Sequence, residues 1–282
     1  MKIVDMHVHV GQFDLLRDDI QELLKKKPFE SDADMPTLFS RPTNLEEYLR
    51  ANGVERAIIL AESGPGTNYS IDSELVAKFA GNNPFFIPFG NINPHHHDAE
   101  KEFWHSVELG IRGFKFYPAD HSFDPSRADM LRVYEQCEKR HLPIIFHTGL
   151  TAQRDANELY IHPRDFAFIA ERYPNLTLIL AHAGKPHWYA EAIDMLVTYP
   201  NVYADTALVS PDDLKYLCED NHNISNKILF GSDWPVAGSY SNLIHDYLQA
   251  DIPQSILQNI MHHNAVHLLN TVLAPQQELE HV

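Results

Sequence analysis

Eight short runs rich in Val, Ile, Leu and Phe recur along this chain, each separated from the next by a stretch with helical spacing. They cover residues 2–8, 54–60, 85–90, 111–116, 143–147, 176–181, 202–205 and 228–231. Most are continuously apolar rather than alternating, as expected of parallel strands covered on both faces. Eight such units in 282 residues predict one closed (β/α)₈ barrel rather than an open doubly wound sheet. No G-x-G-x-x-G follows the first strand, which also argues against a dinucleotide-binding sheet.

The intervening segments carry helix signals. Thr43 and Glu46 match a capping box, and Gly53 marks the stop before the second strand. Pro163 and Pro211 stand at first-turn positions of helices over 164–172 and 212–218, and the spacing predicts another helix over 128–140. Residues 11–42 form an insertion after the first strand, with an amphipathic helix predicted over 15–27. An insertion there lies at the mouth of a barrel and would roof it. Helices over 242–250 and 253–273 follow the last strand. A single domain over 1–274 with a tail over 275–282 is the predicted organisation.

Composition narrows the function. At 44% hydrophobic and 22% charged residues the chain reads as an ordinary globular protein. A net charge of −17 disfavours nucleic-acid binding. No run is long and apolar enough for a membrane span, and the first residues lack a signal-peptide core. Cys137 and Cys218 lie far apart, outside any C-x-x-C spacing, and read as small helix residues of a reducing compartment. The expectation is a cytoplasmic protein acting on a small molecule.

The ends of the strands carry the chemistry. The first ends in Asp5-Met6-His7-Val8-His9, and residues two apart on a strand share a face, so His7 and His9 form a metal pincer. The fifth ends in His147, the sixth in His182 and the eighth in Gly231-Ser232-Asp233-Trp234-Pro235; Lys115 interrupts the apolar fourth. In a barrel these ends converge on one face, where sites of this fold lie. Imidazoles with a carboxylate suit zinc and accommodate manganese or iron. Each residue taken singly has a plain reading, a hydrogen-bonded core histidine or a turn aspartate, but their arrival at several strand ends together points to a metal. Among the loop residues after the strands, Tyr117, Arg154, His187 and Trp234 are the candidates for substrate contact, Arg154 because a guanidinium suits a carboxylate. His95-His96-His97 and the histidines at 262, 263 and 267 read as surface groups.

These stretches together resemble the amidohydrolase superfamily, and within it the amidohydrolase-2 group that includes aminocarboxymuconate-semialdehyde decarboxylase. The resemblance rests on Asp5-Met6-His7-Val8-His9, on residues 110–118 around Lys115, on 142–149 around His147, on 178–184 around His182, on 200–206 and 228–235, and on Asn264-Ala265. It implies a distorted TIM barrel whose metal is bound by His7, His9, His147 and Asp233. It further implies that His182 binds a second metal or polarises the substrate, and that Lys115 occupies the place of a lysine carbamylated in two-metal relatives. Relatives often form dimers, so a homodimer is the matching expectation. Where the seventh strand of the group often ends in Asp-Thr-Ser, this chain has Asp205-Thr206-Ala207. The group contains hydrolases and decarboxylases. The leading expectation is hydrolysis of an ester, lactone or amide, with one or two zinc ions and with Asp233 and His182 as catalytic groups. The alternatives are decarboxylation of an unsaturated or aromatic carboxylate, and a barrel that binds metal without turnover.

Overall fold

The computed structural model describes residues 1–64, 71–96, 98–151, 158–218 and 224–272. Arg154, His97 and the 275–282 tail fall outside them. Strands β1 (Ile3–His9), β2 (Val54–Leu60), β3 (Phe86–Phe89), β4 (Phe114–Phe116), β5 (Ile144–His147), β6 (Leu178–Ala181), β7 (Val202–Asp205) and β8 (Ile228–Leu229) follow in chain order with helices between them. All their pairings are parallel, in the runs β1-β2-β3 and β4-β5-β6-β7-β8.

Two narrow seams close these runs into a barrel. At one, Gly90 N donates to Gly113 O (2.9 Å) and Lys115 N to Gly90 O (2.8 Å). At the other, Met6 N donates to Phe230 O and His9 N to Trp234 O, both at 2.8 Å. Parallel bridges at Gly90–Phe114 and Val8–Trp234 mark the same seams. Glycine is required at 90 by crowding: a Cβ there would come within 2.8 Å of Ser73 Oγ and 3.2 Å of Ile111.

The core has two shells. Val4, Met6, Ile58, Phe89, Ile145 and Ile179 form an inner cluster, joined from below by Ala265, Leu268 and Leu269 of the last helix, Asn264–Val272. This helix plugs the floor of the barrel. Asn264 fixes it there by donating through Nδ2 to Ser225 O and Ile228 O, both at 2.8 Å, around the start of β8. A wide π turn, Asn259–His263, precedes it, and Ile260 O accepts from Phe230 N at 3.0 Å. The 253–273 segment is therefore two helices joined by this turn. The outer cluster lies between strands and helices and includes Val8, Val10, Tyr134 and Trp234.

β1 changes faces along its length. Three steps along β1, from Asp5 to Val8, match two along β2, from Ala57 to Ile59. The extra residue is a bulge, which re-aims the side chains beyond it. Val4 and Met6 thus belong to the inner core, while past the bulge His7 and His9 point inward and Val8 and Val10 outward.

Three local expectations are corrected. Helix Pro42–Ala51 starts at Pro42, with no side-chain cap, so the capping box is not made. Glu46 instead accepts from Arg50 Nε at 2.7 Å and from Asn83 Nδ2 at 2.5 Å. Within the insertion the helix is only Asp18–Lys25, and a second, Met35–Ser40, is capped by Asp34 accepting from Thr37 N. The insertion contributes none of the described residues lining the site cavity, so among these it is no roof. It packs along the β1 and β8 side, with Phe13 against Phe39 and Glu30 accepting from Ser239 and Ser241. No helix among the described residues is long and apolar enough to cross a membrane. Cys137 and Cys218 are free thiols.

Candidate metal centre

At the C-terminal ends of the strands a cavity of about 110 Å³ is lined by His7, His9, His147, His182, Asp233 and Tyr117, together with Glu62, Asp120, Thr151 and Lys185. Asp233 is the focus. Its Oδ1 lies 3.1 Å from His9 Nε2 and 3.5 Å from His7 Nε2. Its backbone is pinned by a bond from its N–H to His7 O (2.9 Å) and adopts φ 59°, a conformation uncommon outside glycine. His182 has φ 62°. Two ligand-type residues in left-handed backbone at one cavity are strain kept where geometry matters.

The tautomers of two histidines follow from their partners. His7 Nδ1 lies 2.9 Å from Asp205 Oδ2, and His182 Nδ1 lies 3.0 Å from the Ala207 carbonyl. A carbonyl only accepts, so His182 carries its proton on Nδ1. Asp205 is also an acceptor. Burial alone would raise its carboxyl, but His7, His182 and Lys115 more than offset this and hold it at about 2. His7 therefore also carries Nδ1–H, and the Nε2 lone pair of each ring is left free of these bonds. Burial lowers His7, His182 (to about 3) and His147, reinforced by the positive charge of Lys115, so all three are neutral near pH 7. Neutral imidazole is the form that binds a metal.

His147 completes the ring of imidazoles, 4.7 Å between centroids from His182, which lies 4.9 Å from His7. Its Nε2 is buried and, among the described residues, has no hydrogen-bond partner. A buried polar atom left unsatisfied costs about 1–3 kcal/mol, and a cation is the partner this donor set suits. Among the described residues, two overlapping groups have ligand atoms within 4.8 Å of one another: His7–His9–Asp233 and His7–His182–Asp205. The second serves orientation, because both Asp205 oxygens are committed. Oδ2 takes the His7 Nδ1–H, and Oδ1 accepts from His182 N (2.8 Å) and Ala207 N (3.0 Å).

Lys115 is fully buried, and among the described residues its Nζ has no hydrogen-bond partner. Burial lowers it to about 8, against the pull of Asp205 and Asp233. Tyr117 lines the cavity, its ring 5.9 Å from that of His147 and its hydroxyl 3.3 Å from Ala61 O. Two sequence candidates lie elsewhere. Trp234 is buried beneath the site against Tyr48 (6.1 Å) and does not line the cavity, because the backbone turn at Asp233 rotates it outward. His187 is exposed, its ring 5.6 Å from Trp188.

Five residues near the site have partners that the sequence does not show. Asp205 was visible only as the end of β7. Asp5 accepts from His7 N (2.9 Å), Ser232 N (3.0 Å) and Tyr240 Oη (2.6 Å), so it ties β1 to the β8 turn. Glu62, Asp120 and Lys185 follow strand ends. Burial, then Glu62, pushes Asp120 up to about 7. A carboxyl raised on folding favours the folded state fully below its unfolded value of 3.8, and that contribution is lost as pH rises toward 7. Asp120→Asn should therefore gain stability relative to the native protein between pH 5 and pH 8, read from denaturant midpoints. A pH-independent difference contradicts the assignment.

The closed parallel barrel with polar strand ends defines a class of enzymes whose sites occupy this face. The sequence signature of the amidohydrolase family matches residues 4–271. This chain belongs to that family. No curated protein sequence matches it. Among solved structures it is similar to an uncharacterized TIM-barrel protein, Bb4693, from Bordetella bronchiseptica, with TM-score 0.76 and 21% identity over 96% of this chain and 99% of that one. It is also similar to a dihydroxybenzoic acid decarboxylase from Polaromonas with bound manganese and the inhibitor 2-nitroresorcinol (TM-score 0.65, 16% identity, 95% and 97% covered). A third similar structure is a probable 2-pyrone-4,6-dicarboxylic acid hydrolase from Acinetobacter baumannii with citric acid bound (TM-score 0.65, 14% identity, 96% and 100% covered). At these identities the likeness establishes the TIM-barrel fold.

Proposed function

We propose that this protein is a metal-dependent hydrolase of small molecules, with one divalent cation, zinc or manganese, held by His7, His9, His147 and Asp233. The observation that carries this reading is the convergence of the His7 and His9 Nε2 atoms on the Asp233 carboxylate. The buried Nε2 of His147, without a hydrogen-bond partner among the described residues, supports it. A divalent cation bound there would polarise a carbonyl and lower the pKa of water from about 15.7 to about 7. Asp233 takes up the proton released on attack, because its carboxyl is ionised: burial opposes this, but His7 and His9 hold it well below the usual range. His182 orients the attacking group as an acceptor through Nε2. It does not donate to an oxyanion, because its single proton is bound to the Ala207 carbonyl. Lys115, as the ammonium it is near pH 7, would repel a second cation; as a carbamate it would hold one.

Decarboxylation is the second reading, favoured by one observation: Asp120 lines the same cavity and titrates near 7, so it would supply a proton to the carbon losing CO₂. The zinc-loaded and manganese-loaded proteins should be assayed on lactones, esters and amides by acid release, and on hydroxybenzoates by CO₂ release. Acid without CO₂ is the expected result, with one equivalent of metal by elemental analysis. CO₂ release selects the second reading. Silence from both forms on every substrate leaves a barrel that binds without turnover.

A further inference from the structure

We infer that Glu62 and Asp120 bind a positively charged nitrogen group of the substrate, making this a site for small cationic molecules such as primary amines. The inference deepens the proposed hydrolase and rests on that reading for the place of the reacting carbonyl. Both residues line the cavity that holds His7, His9, His147 and Asp233. Glu62 is buried, 3% exposed, just beyond β2, and Asp120 stands on the turn that follows β4. Asp120 Oδ1 is buried and, among the described residues, has no hydrogen-bond partner. A buried carboxylate oxygen left without a donor costs stability. A ligand N–H group would supply the donor.

The wall that carries the two acids is stitched together. Tyr117 Oη donates to Ala61 O (3.3 Å), directly before Glu62. Directly after it, Ser63 donates to Asn91 Oδ1 through N (3.3 Å) and Oγ (3.1 Å), and Asn91 Nδ2 donates to Lys115 O (2.8 Å). Glu62 also exchanges both of its backbone bonds with Ile71, each at 2.7 Å. The turn under Asp120 is closed by His121 N donating to Tyr117 O (2.8 Å) and Phe123 N to Pro118 O (3.0 Å). Both backbones are thus held, and the carboxyls do not relieve their repulsion by the loops moving apart.

That repulsion is visible at Asp120. Burial and then the negative charge of Glu62 raise its carboxyl to about 7, and Glu62 outweighs the opposing pull of Lys115. The charges that act on Lys185, the lysine lining the cavity, are Asp233 and Asp205 rather than this pair. A cation seated between Glu62 and Asp120 would remove the repulsion and meet both carboxyls. A metal ion is the poorer occupant: among the described residues, neither acid belongs to a group of three ligand-type side chains close enough to share one. An ammonium needs no third ligand from the protein. With its ammonium there, a substrate extends its reacting carbonyl toward His7, His9 and Asp233.

The test is calorimetric binding of benzylamine and of its neutral counterpart benzyl alcohol near neutral pH, on chelator-treated and zinc-loaded protein, with Glu62→Gln and Asp120→Asn as variants. Native protein should prefer benzylamine in both forms. Glu62→Gln should weaken benzylamine about 10-fold or more, leave benzyl alcohol unchanged and keep the native zinc content. Asp120→Asn, which removes a carboxyl only partly ionised near pH 7, should weaken benzylamine by a smaller factor, and the double variant should lose the preference. No native preference for benzylamine, native benzylamine affinity in the double variant, or equal loss of both ligands overturns the inference. Failure to retain zinc beside carboxylate-dependent benzylamine binding tells against the proposed metal chemistry alone and leaves the amine subsite standing.

Discussion

Replacing Asp233 with asparagine is expected to reduce turnover by about 10³-fold or more and bound metal to well below one equivalent. The expectation follows from the two roles that converge on one carboxylate, proton acceptor and metal ligand. Asparagine keeps the shape and tolerates the left-handed backbone at φ 59°, so the fold should survive. Its neutral amide removes the charge facing His7 and His9. Alanine at this position adds backbone strain of about 1–2 kcal/mol, which makes asparagine the cleaner variant. Elemental analysis and steady-state rates on both variants decide the matter. Native metal content with native turnover in Asp233→Asn would remove Asp233 from the site.

The second large effect is expected at Asp205, which touches no solvent. Asp205→Ala orphans three buried donors: His7 Nδ1–H, His182 N–H and Ala207 N–H. Leaving a buried neutral donor unpaired costs about 1–3 kcal/mol, and three are orphaned together, so the alanine variant should unfold at markedly lower denaturant. Asp205→Asn separates orientation from stability. Its amide still accepts through one oxygen, but turned toward His7 the NH₂ group donates, forcing the His7 proton to Nε2 and blocking the lone pair that faces Asp233. Metal affinity should fall by about 10–100-fold with a much smaller loss of stability. Equal metal affinity in native and Asp205→Asn protein would mean that the His7 tautomer does not matter.

Much of the barrel was legible because the strands are continuous apolar runs and their order around a ring follows from chain order. The five ligand-type residues His7, His9, His147, His182 and Asp233 were legible for a related reason: strand ends meet on one face, so residues far apart in sequence share a cavity. Three things were not legible. Simple alternation placed His7 and His9 together correctly, but gives no hint that Met6 also faces inward, because a bulge leaves no composition signal. Trp234 follows a ligand-type residue, yet a single left-handed backbone angle at Asp233 sends the two side chains to different places. Asp205 stands in a matching stretch at the end of β7, but nothing in that stretch says what its carboxylate does. Its role comes from what the fold brings around it: the His7 ring and the His182 and Ala207 N–H groups, all donors.

The seam between β1 and β8 has a consequence for the order of events during synthesis. His7 and His9 are made before the other candidate ligands, but β1 pairs on one edge with the turn after β8, more than 220 residues later, and the floor beneath it is laid by the final described helix. The two earliest candidate ligands therefore wait for the latest one. Until Asp233 and the Asn264–Val272 plug arrive, the nascent chain holds an open ring with an exposed apolar floor. A cation that bridges β1 and β8 would bind only after closure, so its affinity adds to the free energy of shutting the ring. Metal availability would then act as a quality check on newly made chains as well as on the reaction.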